Sequence, residues 1–552
     1  MGAILELTNA VASTNILPLA IVGAAMYTVW NQMLLGYTLQ GAFQRPIVCA
    51  FFFGLVSGRM EECMILGAGI ESLYLGLITP GGNVPTDPMA AACVGIPVWL
   101  CTSGMTSTAA VALAVPVGLL FAVLTIVKYL ICGIFVEPAE KHADDADVKG
   151  IFRCTVTYPA IIKAALGFTL MFLSIYLGSS FVQGLLDALP AWLTHGLEVA
   201  GGILPALGFA LTVMIIGRPT YIPLFLIGYF MVQYGGLSVM ACAIFSICIA
   251  LFITFFRIDV VNQAREGLED EDDEDEDEAE AEEAKQKILE PKDVNNFFMR
   301  WWWFCEMSHN YQRMQALSLC TAMAPALQKM YPGEENKEKL ASALHREMMY
   351  FNTQGIWGSS ALGVALAMEE EQAITQAMTE EEATASINGL KIGFMGPFAG
   401  VGDTIDWGIL LYLLIGIGME ACSAGNPVGI LPVMIGFPAI TLAEGLFFTR
   451  TGYNLGRVAL GNLFTSGMID RLIECTSMIG MLMMGALGNT YVHLTLANEG
   501  AQSTLDSIIP GLLPLVAIFV IYYIMKNVTQ QMQWISLGII AVGLILALIG
   551  LC

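Results

Sequence analysis

The chain has 552 residues and is 56% hydrophobic but only 13% charged, whereas soluble proteins carry about 25% charged residues. So apolar a chain has too little polar surface to cover a water-soluble fold, and hydrocarbon is the expected solvent for much of it. More than half of the net charge of −24 sits in residues 266–283, which hold fourteen acidic side chains and no basic one; the acidity belongs to a connector, and the clustered Lys and Arg that nucleic acid requires are not seen.

The N-terminus shows no basic region followed by a small-residue cleavage site, and Glu6 stands where N-myristoylation wants Ser or Thr. Apolar runs long enough to span, or nearly span, a bilayer then recur at 16–39, 107–127, 160–180, 201–216 and, as a pair, 222–256. Between Pro46 and Ala110 the pattern changes: Gly58, Gly67, Gly69, Gly76, Pro80, Gly81, Gly82, Pro85 and Pro88 cut the apolar sequence into short pieces. Irregular backbone at membrane depth survives only when buried in protein or lining a cavity, so re-entrant hairpins are expected. The unbroken acids of 269–278 repel one another and lack apolar partners, which predicts a solvated, disordered linker.

Basic residues return at Lys285, Lys287, Lys292 and Arg300, followed by Trp301, Trp302 and Trp303. Aromatics beside basic residues favour the membrane interface, so this stretch is expected on the bilayer surface. Residues 311–351 read as amphipathic helices punctuated by Pro332 and Gly333, with Leu340, Leu344, Met348 and Phe351 on one face. Hydrophobic segments broken by glycine resume from 387 to 551. The halves echo each other weakly: a Gly/Pro-broken acidic region at 71–87 and at 393–406, then Glu198 and Glu474 before glycine-rich apolar runs. Interrupted segments at matching places point to a transporter site where the repeats meet. The expected fold class is an all-α membrane protein of two polytopic helical halves with re-entrant glycine-rich hairpins. Its expected domains are 1–262, an acidic cytoplasmic linker at 263–292, and 293–552, with amphipathic helices over 297–352 and membrane segments over 353–552.

Ionisable groups inside apolar stretches are functional candidates, because each costs several kcal/mol unless paired or hydrated. The candidates are Glu71 and Asp87, with Asn83 between them; Asn310, Arg313 and Gln315 in NYQRMQAL; Asn352 and Gln354 in YFNTQG; and Asn388, Lys391, Asp403 and Asp406 in INGLKIGFMGPFAGVGDTIDWG. Carboxylates and amides on closely approaching backbone suit a ligand rich in hydroxyls. The alternative is internal ion pairing, for instance Lys391 with Asp403. The GPFAGVGDT string lacks the G-K-[ST] ending of a phosphate loop and reads better as a tight hairpin. The five histidines and thirteen cysteines show neither metal spacing nor a nucleophile pattern, so no metal and no cofactor is expected.

Several strings match a known family. NYQRMQAL (310–317), ALQKMYP (326–332), YFNTQG (350–355), ALGVALAMEEE (361–371), the 387–408 string, MGALGN (484–489) and IIPGLLPL (508–515) resemble the IID component of the mannose/fructose/sorbose family of the sugar phosphotransferase system. FQRPIV (43–48), GIESLYLG (69–76), PTDPMAA (85–91) and LEVAGGILPALGFALTVM (197–214) resemble its IIC component. The resemblance implies a fused IIC–IID permease in the bacterial inner membrane, a trimer of such pairs, that moves a hexose or amino sugar. It implies phosphorylation of that sugar by a cytoplasmic IIB phosphohistidine protein fed by IIA, with no phosphorylated residue of the chain's own. Glu71 first and Asp403 second are the expected bases for the sugar hydroxyl, and the remaining candidates are expected to bind it. The sequence departs from the family pattern at Arg59, Glu347, Gly355 and Asp406. A transporter outside the phosphotransferase system, ion-coupled or passive, and a non-transporting regulatory paralogue are the alternatives.

Overall fold

The computed structural model describes residues 15–31, 34–75, 86–186, 195–196, 199–200, 202–203, 205–215, 219–266, 287–465, 468–529 and 532–551. Asn83, Glu198 and the acidic run 269–278 lie outside these. The described residues are mostly helical, with no strand beyond isolated bridges such as Asn310 to Met314 and Met314 to Phe351. This is an all-α membrane protein. Among the described residues, four helical stretches are long and apolar enough to cross a bilayer: Ser107–Asp144, Val148–Gly178, Glu380–Ser423 and Pro427–Asn454.

The expected hairpin region is described at 46–75 and from 86 on, while Gly76, Pro80, Gly81, Gly82 and Pro85 lie outside the described residues; at 46–75 its helices are short. Helix Pro46–Ser57 begins on a proline at its first turn, where the missing N–H is not needed, and ends at Gly58 with φ 71°. Met60–Leu73 then runs back against it. Its 14 residues span about 21 Å, well short of the ~30 Å hydrocarbon thickness. Gly67 does not break this helix: a Cβ there would sit 2.3 Å from the Ala50 Cβ, so the glycine sets how closely the two helices approach. Tyr37–Phe43 meets Pro46–Ser57 at 64°, and Glu499–Ile508 meets Leu512–Asn527 at 78°.

The second half opens with a compact helical unit. Pro291–Phe304 starts on a capping box between Glu290 and Asp293. It packs with Ala316–Met330, Lys337–Glu347 and Ser359–Thr375 around Phe297, Phe298, Leu319, Leu344 and Leu362. The tryptophan triplet behaves differently from a surface anchor. Trp301 and Trp302 are buried, and their indole N–H groups donate to the Gly355 carbonyl (2.7 Å) and Thr38 Oγ1 (2.9 Å); only Trp303 is exposed. Each indole finds an acceptor within the protein, so burying it leaves no donor unsatisfied. Leu340, Leu344, Met348 and Phe351 all face this core.

The halves interlock. Val136, Ala139, Ala143, Ile151 and Cys154 of the first half belong to the core built by 291–375. Tyr412, Ile415, Met481 and Leu487 of the second half join the core of the first. Helix Ile222–Gln233 packs on Met468–Tyr491 through paired glycines: a Cβ on Gly228 would lie 1.9 Å from the Leu482 carbonyl oxygen, and one on Gly485 1.9 Å from that of Phe225. Small residues let membrane helices gain dispersion contacts where lipid offers no hydrophobic driving force.

Candidate functional site

A cavity of about 240 Å³ opens where the halves meet, with residues 31–163 on one side and 306–412 on the other. It is a little smaller than the ~300–1,000 Å³ usual for drug-sized ligands, a size suited to a single small polar molecule.

On the first-half wall, Asp87 caps the helix Pro88–Cys101. Its Oδ1 accepts the Ala90 amide (2.9 Å), and its Oδ2 accepts the Tyr27 hydroxyl (2.8 Å) and the Asn31 Nδ2 (2.9 Å). The Asn31 Oδ1 in turn accepts from Lys128 Nζ at 2.8 Å. Asp87, Asn31 and Lys128 thus form one chain across three helices. Arg45 also lines the cavity. Its guanidinium is paired with Glu71 (Nε to Oε1, 2.7 Å) and lies over the Tyr412 ring at 5.4 Å. Glu71 is wholly buried behind it, its second oxygen taking the Ile47 amide at 3.3 Å.

The second-half wall is built on an extended stretch and on a continuous helix: GPFAGVGDT is not the tight hairpin expected from its glycines but runs unbroken within the helical stretch Glu380–Ser423. YFNTQG holds an extended stretch against Gln315, whose amide bonds both the N–H and the C=O of Thr353 (2.8 and 2.9 Å). Asn352 faces the cavity, and among the described residues its side-chain amide has no partner. Gln354 also lines it. Its Oε1 accepts the Ile356 and Trp357 amides, and its Nε2 donates to Asp406 at 2.9 Å. Asp406 is buried behind Gln354 and accepts Trp357 Nε1 at 3.0 Å. The helix Glu380–Gly402 passes into a π-helical stretch, Asp403–Leu410, which places Asp403 and Trp407 on the cavity wall; π-helical insertions are frequent at functional sites. Trp407 donates to the Tyr37 hydroxyl at 3.0 Å and lies directly over Gly41, where a Cβ would come within 2.3 Å of the ring.

Glu306 and His309 complete the wall. Glu306 Oε2 lies 2.6 Å from His309 Nδ1, its other oxygen takes the Gln315 amide, and the imidazole stacks on Tyr129 at 4.5 Å. Burial pushes the Glu306 carboxyl up, but His309, Gln315 and Lys163 outweigh it and hold the group below the usual carboxylate range.

Of the twelve residues singled out in the sequence, the structure brings Asp87, Gln315, Asn352, Gln354 and Asp403 into this cavity. Glu71 and Asp406 sit one residue behind it. Asn310, Arg313, Asn388 and Lys391 lie elsewhere. Asn310 closes a turn by accepting the Gln312 and Arg313 amides, and Arg313 pairs with Glu140 of the first half at 2.7 Å. Asn388 contacts the Met349 sulfur, and Lys391 pairs at 2.9 Å with Glu347, not with Asp403. Asn83 is outside the described residues. Sequence reasoning passed over Arg45, Lys128, Lys163, Glu306, His309 and Trp407. Lys163 interrupts the apolar run 160–180 and Lys128 directly follows that of 107–127, so a search for lone cations in apolar sequence finds both.

A family model described as the PTS system mannose/fructose/sorbose family IID component matches residues 288–552. A second, described as the PTS system sorbose-specific IIC component, matches residues 14–252. The mannose-specific EIID component of Escherichia coli K12 is 32% identical over 47% of this chain and 93% of its own length. The fructose permease IID component of Bacillus subtilis is 33% identical over 47% of this chain and 96% of its own. The N-acetylgalactosamine permease IIC component 1 of Escherichia coli K12 is 34% identical over 35% of this chain and 72% of its own. The cavity thus lies between the IIC-like and the IID-like parts, and the chain belongs to the mannose/fructose/sorbose family of the sugar phosphotransferase system, as a multi-pass membrane permease that joins its IIC and IID components in one polypeptide.

Proposed function

We propose that the sugar binds in the cavity between the two components and is phosphorylated there as it is released. The observation that carries this reading is the unpartnered Asn352 amide, set among the oriented acceptors and donors of Asp87, Gln354 and Asp403 and the rings of Tyr37 and Trp407. Such a wall offers directed hydrogen bonds to several hydroxyls at once and an aromatic face to the apolar side of a pyranose. The sugar is a hexose or an amino sugar. The phosphoryl donor is a cytoplasmic IIB protein, phosphorylated on histidine and recharged by IIA. Its P–N bond breaks as the bond from phosphorus to the sugar oxygen forms, and Asp403 takes the hydroxyl proton. Holding hydroxyl and donor in line supplies most of the rate. Glu71 acts through Arg45, which it fixes at the cavity wall. The assembly is a homotrimer in the bacterial inner membrane.

Uptake by right-side-out vesicles tests this. Accumulation as the sugar phosphate, dependent on phosphoenolpyruvate and the phosphocarriers, is expected. Asn352→Ala and Asp403→Asn each reduce it by about tenfold or more, in line with the loss of hydrogen bonds to a substrate. Accumulation of free sugar, or normal uptake by both variants, sinks the reading.

A further inference from the structure

Lys128 and Lys163 both line the cavity and are almost wholly buried, 8% and 3% exposed. Among the described residues neither forms an ion pair. Lys128 Nζ donates to Asn31 Oδ1 and, at 3.4 Å, to the Asn31 carbonyl; Lys163 Nζ donates only to the Met307 carbonyl, at 2.7 Å. An ammonium group has three N–H donors, so one on Lys128 and two on Lys163 lack an acceptor among the described residues. Asp87 and Glu306 on the same wall act on them only through space, without a direct hydrogen bond: Asp87 is held by Tyr27, Asn31 and Ala90, and Glu306 by His309 and Gln315.

The two lysines converge on one place. Cys132, one helical turn after Lys128, reaches the same Met307 carbonyl (3.7 Å) that Lys163 holds, and Tyr129 stacks on His309 two residues beyond. Two desolvated like charges side by side, with donors to spare, form a costly arrangement that an anion relieves. Resting on the reading of this cavity as the sugar site, we infer that Lys128 and Lys163 form a subsite for a small oxyanion attached to the sugar. That oxyanion is either the phosphoryl group of the product or the carboxylate of a sugar acid.

The test titrates the full chain in lipid nanodiscs by calorimetry with inorganic phosphate and, separately, with gluconate. At least one anion binds. Lys128→Gln and Lys163→Gln each weaken it by about tenfold, the size expected for a charge-assisted hydrogen bond, while Lys163→Arg stays within about threefold of the parent. Lysine-dependent binding of phosphate alone assigns the subsite to the transferred group; lysine-dependent binding of gluconate assigns it to an acidic substrate. Binding of neither anion, or binding indifferent to both Lys→Gln substitutions, overturns the inference. Thermal unfolding of each variant separates a misfolded protein from a lost site. The placement of the sugar itself stands or falls on the Asn352 and Asp403 uptake assay, which reads out independently of anion binding.

Discussion

The Arg45–Glu71 pair offers the most direct test of how this site is held. Both side chains are removed from solvent, at 8% and 0% exposure, and the guanidinium meets its carboxylate through both Nε and Nη2. Replacing Glu71 by Gln keeps an oxygen for the Ile47 amide but strands a buried guanidinium without its counter-charge. Breaking a buried pair from one side costs about 3–5 kcal/mol, and for a domain of this size each kcal/mol moves Tm by about 2–4 °C. Glu71→Gln therefore lowers Tm by about 6–20 °C in detergent. Arg45→Met combined with Glu71→Leu recovers most of that loss, since paired apolar replacement of a buried ion pair is close to neutral. Sugar uptake, by contrast, falls in both, because both remove Arg45 from its place on the cavity wall. A Glu71→Gln variant with unchanged Tm but abolished phosphorylation refutes the reasoning, and makes Glu71 itself the group that acts on the sugar.

Asn352→Ala raises the KM for uptake by about tenfold with Tm shifted by no more than about 1 °C, because the amide has no partner to lose; a large fall in Tm contradicts its role as a free ligand group. Gly41→Ala drives a Cβ into the Trp407 ring and lowers uptake, while Gly41→Ala with Trp407→Leu restores packing as read by Tm but not uptake. Gly485→Ala places a Cβ against the Phe225 carbonyl oxygen and destabilises the 222–233 and 468–491 helix pair by about 1–3 kcal/mol, seen as faster proteolysis in detergent. Because the folded-state pKa of Glu306 is depressed, its contribution to stability is full above the ordinary carboxylate pKa and disappears as pH falls through the lowered value. Tm measured from pH 7 downward therefore shows an acid-side loss that is smaller in Glu306→Gln; identical acid profiles for the two proteins refute this.

Much of the architecture is legible along the chain. The low charge content forces a hydrocarbon solvent, and the apolar runs around 107–127 and 160–180 are helices of spanning length. Of the glycines read as breaks between 46 and 75, Gly58 does end a helix, but Gly67 permits helix contact, because whether a glycine bends a chain or lets a neighbour approach depends on what packs beside it. The tryptophan triplet misleads for a similar reason, since indoles favour an interface only when no acceptor waits in the interior, and the Gly355 carbonyl and Thr38 hydroxyl do wait there.

What the sequence determines by itself is class, family and the reservoir of polar groups inside apolar segments, because these follow from local composition and from motifs that need no partner to be recognised. Which of those groups face one another is decided only when the chain interlocks. Glu71 and Asp87 are both acids in the same broken stretch, yet one is shut behind Arg45 and the other opens on the cavity. Lys391 lies twelve residues from Asp403 in one motif but pairs with Glu347 from another helix. A buried charge takes its meaning from whatever satisfies it, and that partner comes from far along the chain, where no local pattern records it.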